Sequence, residues 1–268
     1  MTTTAAKPGA MERYLWKWVR PMVLPAALVL IWQLVHVNEV FLETLFPGPA
    51  AVWFKFWEMT LAGELFIHVG VSMRRVLLGF LLAMALAIPL GLFLGWYRKA
   101  ERFCEVVIHV GRTIPIMAWI PLTIMWFGMG ELSSVLIITL GAFFPTFFNT
   151  IAGVREVSRN LIDAALNLGV KRDSWMLFRE VVLPSSVPLI VTGQNISLGY
   201  AWSAIVAAEL IFKNEGIGYL LMTGRLQYSY ETVILMMLIL CCCGLLFNAG
   251  IKILENSLSP WRYGLKIE

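Results

Sequence analysis

Six apolar runs, separated by short polar stretches, divide the chain: Pro21 to Val37, Val76 to Tyr97, Thr113 to Gly128, Leu132 to Gly153, Pro184 to Phe212 and Val233 to Leu254. A hydrocarbon core of about 30 Å is crossed by roughly 20 apolar helical residues, and backbone in lipid must satisfy its own hydrogen bonds. The pattern therefore predicts an all-α polytopic membrane protein with six transmembrane helices. They form one membrane domain, residues 21–258, between a polar segment 1–20 and a tail 259–268. The first run is short and holds Gln33 and His36, which fits an interfacial helix; its basic flank fits a retained anchor better.

Polar positions inside and between the runs add detail. His68, Ser72 and Arg75 fall at i, i+4 and i+7 and read as a solvated helical face leading into the second span. That span is dense in Gly79, Ala83, Ala85, Ala87, Gly91 and Gly95, small residues that let helices approach closely in lipid. The link GMGEL, residues 128–132, makes spans three and four a tight hairpin, and Pro115, Pro121 and Pro145 interrupt them, with Asn149 following. Broken helices at membrane depth line a path or lie within protein, so a central path and simple kinked packing both fit. Along the fifth span, Thr192, Asn195, Gly199, Trp202, Ser203 and Glu209 form one stripe, which marks a path, a subunit interface or interhelical hydrogen bonds. Residues 213–232 are too polar to span and too apolar for a free loop, so they are placed on the outer face or dipping into it.

Composition acts mainly by exclusion. The chain is 59% hydrophobic and 14% charged, far from the roughly 25% charged residues of a soluble domain. Sixteen of the 21 Lys and Arg residues fall on the side of the N-terminus, and only Lys55, Arg74, Arg75, Lys213 and Arg225 on the other. The positive-inside rule then puts both termini in the cytoplasm, and the net charge of +4 is a topology signal that needs no nucleic acid. Cys104 and the consecutive Cys241, Cys242 and Cys243 give neither a disulfide framework nor a metal-ligand spacing.

No G-x-x-x-x-G-K-[ST], H-E-x-x-H or G-x-S-x-G motif occurs, and Glu209 is the one carboxylate within a span. An enzyme would need convergent groups that the spans lack. A pore-like domain with no engine needs a place to attach one. The polar block DAALNLGVKRDSWMLFREVVLP, residues 163–184, is cytoplasmic on this topology, and Gly169 divides it into short helices, Asn160 to Leu168 and about Arg172 to Val182. The second is amphipathic, which suits docking into a partner's groove or lying on the inner leaflet.

DAALNLG followed by VVLP resembles the E-A-A…G…I-x-L-P signature of the inner-membrane permease subunits of binding-protein-dependent ABC importers. RTIPIMAWIPLTIMWFGMGELSSVLI, FFPTFFNTIAGV, SLGYAWSAIVAAELI and GIGYLL are similar to that family's nitrate, sulfonate, taurine and bicarbonate branch, and the likeness runs from about residue 65 to 260. The resemblance implies a type I ABC importer permease fold in the bacterial inner membrane, with two permease copies, here a homodimer, forming the path through the lipid bilayer. It also implies a cytoplasmic ATPase dimer that uses ATP and Mg, and a periplasmic or lipid-anchored substrate-binding protein.

Carried onto this chain, the resemblance makes Asp163, Ala164, Ala165 and Gly169 the ATPase-coupling residues within coupling helices 159–182. Asp163 stands where the family has Glu, and the gap from Gly169 to Leu183 and Pro184 is two residues longer than the family's. Two residues turn a helix by about 200°, so Lys171 to Phe178 receive no individual contacts. The path is expected to use Asn149, Asn195, Trp202, Ser203 and Glu209, and to carry a small anionic solute such as a sulfonate, taurine or nitrate, although the fifth-span stripe holds no cation. A stand-alone channel or secondary carrier is the alternative and predicts flux through this chain alone.

Overall fold

The computed structural model describes residues 10–42, 44–211 and 215–258. Lys7, Phe212, Lys213 and the expected tail 259–268, with Arg262 and Lys266, lie outside the described residues. Helices and turns make up the rest: α1 (Ala10–Val37), α2 (Pro49–Leu61), α3 (Glu64–Trp96), α4 (Arg98–Thr113), α5 (Ile116–Phe127), α6 (Glu131–Arg155), α7 (Arg159–Asn167), α8 (Trp175–Leu177), a π-helical turn Phe178–Val182, α9 (Leu183–Ile211), α10 (Ile217–Leu226) and α11 (Tyr230–Leu258).

Among the described residues, four helical stretches are long and apolar enough to cross a membrane: Glu64–Trp96, Glu131–Arg155, Trp175–Ile211 and Tyr230–Ile253. Three sequence expectations are corrected here. The helix that carries the second span does not begin at Val76: it starts at Glu64, and Ser72 and Arg75, just before Val76, are buried within the protein. The third span is not one rod. Pro115 stands between α4 and α5, which meet at 94°, and the 12 residues of α5 reach only about 18 Å, short of a bilayer core. The pair counts as a fifth span if both limbs are taken together, while the apolar part of α1, Met22–Val37, is shorter than a full crossing. Finally, the second short helix of the polar block does not stop before Leu183; it runs through the π-helical turn into α9 as one 37-residue stretch.

The core is a three-helix seam in which α6 lies along both α3 and α9. Gly79, Ala83, Ala87, Gly91 and Gly95 face inward along α3, whereas Ala85 points out. The seam is close enough that a Cβ on Gly79 would meet the Ile138 Cβ at 2.7 Å. Leu77, Leu81, Leu86, Leu90 and Phe93 stand exposed on the other side of α3, a surface suited to hydrocarbon rather than water. The GMGEL link closes α5 onto α6 as expected, with the Ser133 hydroxyl donating to the Gly128 carbonyl at 2.5 Å.

Candidate functional site

Three places concentrate polar chemistry, and the first is the block that opens with Asp163. Helix α7 ends in a Schellman turn: Val170 N–H donates to the Ala165 carbonyl at 3.1 Å and Gly169 N–H to the Leu166 carbonyl at 2.9 Å. Gly169 sits at φ +92°, a conformation that L side chains rarely adopt, which is why glycine serves there. The chain re-enters helix at Ser174, whose hydroxyl accepts from Leu177 N–H at 3.2 Å.

A small apolar cluster of Val154, Val157 and Val182, packed with Leu92, Trp96, Ile162 and Phe178, fastens this unit to the base of the bundle. Trp96 meets Phe178 edge-on at 5.3 Å. The four coupling candidates consequently divide. Asp163, Ala164 and Gly169 are exposed, but Ala165 is buried and belongs to the packing. Leu168 is 86% exposed, and Leu161, Trp175 and Met176 are also exposed. Beside them, Trp96, Arg98, Arg159, Asp163, Arg172 and Asp173 help to line a cleft of about 580 Å³.

The second place is a groove of about 360 Å³ where the bent α4/α5 pair faces α6 and α9. Arg112, Trp119, Phe148, Asn149 and Tyr200 contribute to its walls. Asn149 lies there as expected for a path residue, its Nδ2 donating to the Pro145 carbonyl at 2.8 Å. The fifth-span residues do not join it on one face. Ser203 is exposed, Asn195 is half-buried, and Trp202 is buried with its ring edge-on to Phe247 at 5.6 Å. Seven positions separate Asn195 from Trp202 and Trp202 from Glu209, so those three share one side of α9, while Gly199 and Ser203 stand exposed on another.

Glu209 anchors the third place. Its carboxylate is 1% exposed and accepts from Ser72 Oγ at 2.8 Å, Arg75 Nη1 at 2.9 Å and Gly218 N–H at 2.9 Å. Arg75 also donates to the Glu215 carbonyl at 2.6 Å, Ser72 accepts from Ile217 N–H at 2.8 Å, and His68 Nδ1 accepts from Gly216 N–H at 3.0 Å. The expected solvated face is thus corrected: Ser72 and Arg75 are buried, because the loop before α10 folds over them. The signal available in the sequence was the coincidence of a lone spanning acid with a polar i, i+4, i+7 face containing an arginine. Sequence reasoning also missed Arg112, Trp119 and Tyr200, since nothing local reveals that a broken span turns Arg112 and Trp119 toward α6 and toward Tyr200 on α9.

The pattern of the family described as "Binding-protein-dependent transport system inner membrane component" matches residues 87–261. A putative ABC transporter permease protein of Methanocaldococcus jannaschii is 40% identical over 247 residues, covering 91% of this chain and 92% of the relative. A putative aliphatic sulfonates transport permease protein of Bacillus subtilis is 36% identical over 257 residues, covering 96% and 91%. Among solved structures, the MetNI methionine ABC transporter in an inward facing conformation superposes with a TM-score of 0.62 at 17% identity, over 71% of this chain and 94% of that one, a likeness of fold.

Proposed function

The chain belongs to the binding-protein-dependent transport system inner membrane components, and from that premise we propose which solute class it carries and how it is driven. It is a non-catalytic permease subunit of an ABC importer. The solute is a small anion of the organosulfonate kind, a reading supported by the aliphatic sulfonates named for the Bacillus subtilis relative and by a groove that offers Arg112 but no carboxylate.

The engine is a cytoplasmic ATPase dimer that hydrolyses ATP with Mg. It docks on the exposed side of α7, where Asp163, Ala164, Leu168 and Gly169 stand together. The observation that carries this is the division of α7 itself: one side is held by the apolar cluster, the other is bare, and its end is fixed by the Schellman turn. Pushed as a rigid unit, α7 passes force to α6 and, through residues 170–174, to the long Trp175–Ile211 helix. A two-state bundle biased by nucleotide then alternates access without chemistry in this subunit. A second copy of the chain completes the path, a substrate-binding protein supplies the outer face, and both termini face the cytoplasm.

The test is affinity purification from native membranes in mild detergent, with residues 163–171 replaced by a Gly/Ser linker of equal length. Stopping before Ser174 spares the spanning helix. An ATPase that copurifies with the wild-type chain and is lost from the folded variant is the expected result; an ATPase retained in equal amount would remove α7 from the coupling role.

A further inference from the structure

The groove between α5, α6 and α9 has features that the permease assignment does not use. Its single charged wall residue is Arg112, in the last turn of α4. Among the described residues Arg112 makes no ion pair; its guanidinium instead stands 5.0 Å from the centroid of the Phe148 ring. Glu101, Glu105 and Glu156 line an adjoining pocket that Arg112 also borders, and Glu101 there is taken up by Arg155. The groove wall itself holds no acid. The same groove is lined by an amide, Asn149, a phenol, Tyr200, and the rings of Trp119 and Phe144.

A planar fork of N–H donors with no carboxylate partner, above apolar and aromatic walls, recognises a compact oxyanion that carries a short apolar tail. The break at Pro115 adds to this, because the first turn of α5 at Ile116 lines the same groove and a helix start carries amides without intrahelical partners. A volume of about 360 Å³ lies at the small end of ligand pockets, which favours a few-carbon solute over a sugar or peptide.

We propose that this groove is an anion-binding station, in which Arg112 holds the sulfonate-like head while Trp119, Phe144 and Phe148 hold the tail. Arg112 is therefore a specificity-determining residue. The proposal rests on reading this wall as part of the solute path.

The chain in lipid nanodiscs is titrated with butane-1-sulfonate and, separately, with its uncharged analogue butyl methyl sulfone, each followed by saturation-transfer difference NMR. The sulfonate is expected to bind saturably and the sulfone roughly tenfold more weakly, as loss of one charge-assisted hydrogen bond implies. Arg112→Gln is expected to cost the sulfonate a similar factor, Arg112→Lys, which keeps the charge without the planar fork, a smaller one, and Phe103→Ser, on the opposite face of α4, to change nothing. Equal binding of sulfonate and sulfone by the wild-type chain would overturn the proposal without any variant having to fold, as would unchanged sulfonate affinity in Arg112→Gln.

Proteoliposomes holding the chain with its ATPase and its substrate-binding protein separate the two readings. Arg112-dependent binding without ATP-driven uptake of butane-1-sulfonate would leave the site standing and remove the sulfonate path. ATP-driven uptake that Arg112→Gln leaves intact would do the reverse.

Discussion

Arg75 and Glu209 are 134 residues apart in the chain and 2.9 Å apart in the fold, both nearly closed off from solvent. The pair ties α3 to α9 at the end of the bundle where α10 begins. A buried carboxylate left alone is costly, so Arg75→Met is expected to destabilise the chain by about 3–5 kcal/mol. Glu209→Gln keeps an acceptor for Ser72 and Gly218 and should cost less when combined with Arg75→Met than the sum of the two changes. Tryptophan-monitored unfolding in detergent measures all three variants. Strict additivity would mean that the two side chains do not interact.

Gly216 lies against the same carboxylate. Its φ is +127°, and a Cβ there would meet the Glu209 Cδ at 2.3 Å. Gly63 also has positive φ, at +75°, but a Cβ there would find nothing within 4 Å. Gly63→Ala should therefore cost about 1 kcal/mol, the strain of the left-handed region alone. Gly216→Ala must in addition push the loop off Glu209, and a clearly larger loss of thermal stability is expected. Matching losses for the two variants would mean that the carboxylate moves aside freely.

These two features show where the sequence was legible and where it was not. Apolar runs and the glycine-alanine seam of α3 announce themselves locally, because burial in lipid and close helix packing each leave a composition mark. The turn at Gly169 was readable for a similar reason: one residue type tolerates that φ. Burial of Ser72 and Arg75 was not readable, since a polar helical face looks the same whether water or a distant carboxylate satisfies it. The break at Pro115 was visible as a proline, but its 94° angle, which carries Arg112 to the groove, depends on what α6 and α9 offer to pack against. Continuity of the second short helix with α9 was missed because Pro184 reads as the start of a new helix, whereas the π-helical turn at Phe178–Val182 leads straight into α9 at Leu183.

Neighbouring alanines on α7 should respond in opposite ways. Ala165 is buried and Ala164 exposed, so Ala165→Leu overpacks the base of the bundle and is expected to cost about 1–3 kcal/mol. Ala164→Leu should leave unfolding unchanged yet reduce the amount of ATPase that copurifies. Leu168→Ser, at a side chain 86% exposed, should behave like Ala164→Leu. Normal ATPase recovery with both Ala164→Leu and Leu168→Ser would place the docking surface elsewhere on the cytoplasmic face.

Trp202 poses the sharpest choice between packing and path. Its indole Nε1 is buried and meets no acceptor among the described residues, and its ring sits edge-on to Phe247 in the principal core cluster. A buried donor without a partner costs free energy, so replacing Trp202 by Phe removes that penalty while leaving a smaller ring against Phe247. The two effects oppose each other, and the net change in stability is expected to stay within about 1.5 kcal/mol. If packing is the whole role, uptake measured in proteoliposomes follows stability and is nearly unchanged. If the N–H instead serves a solute that passes during transport, Trp202→Phe lowers uptake at unchanged stability, and the path extends from the Asn149 groove across α9 to α11.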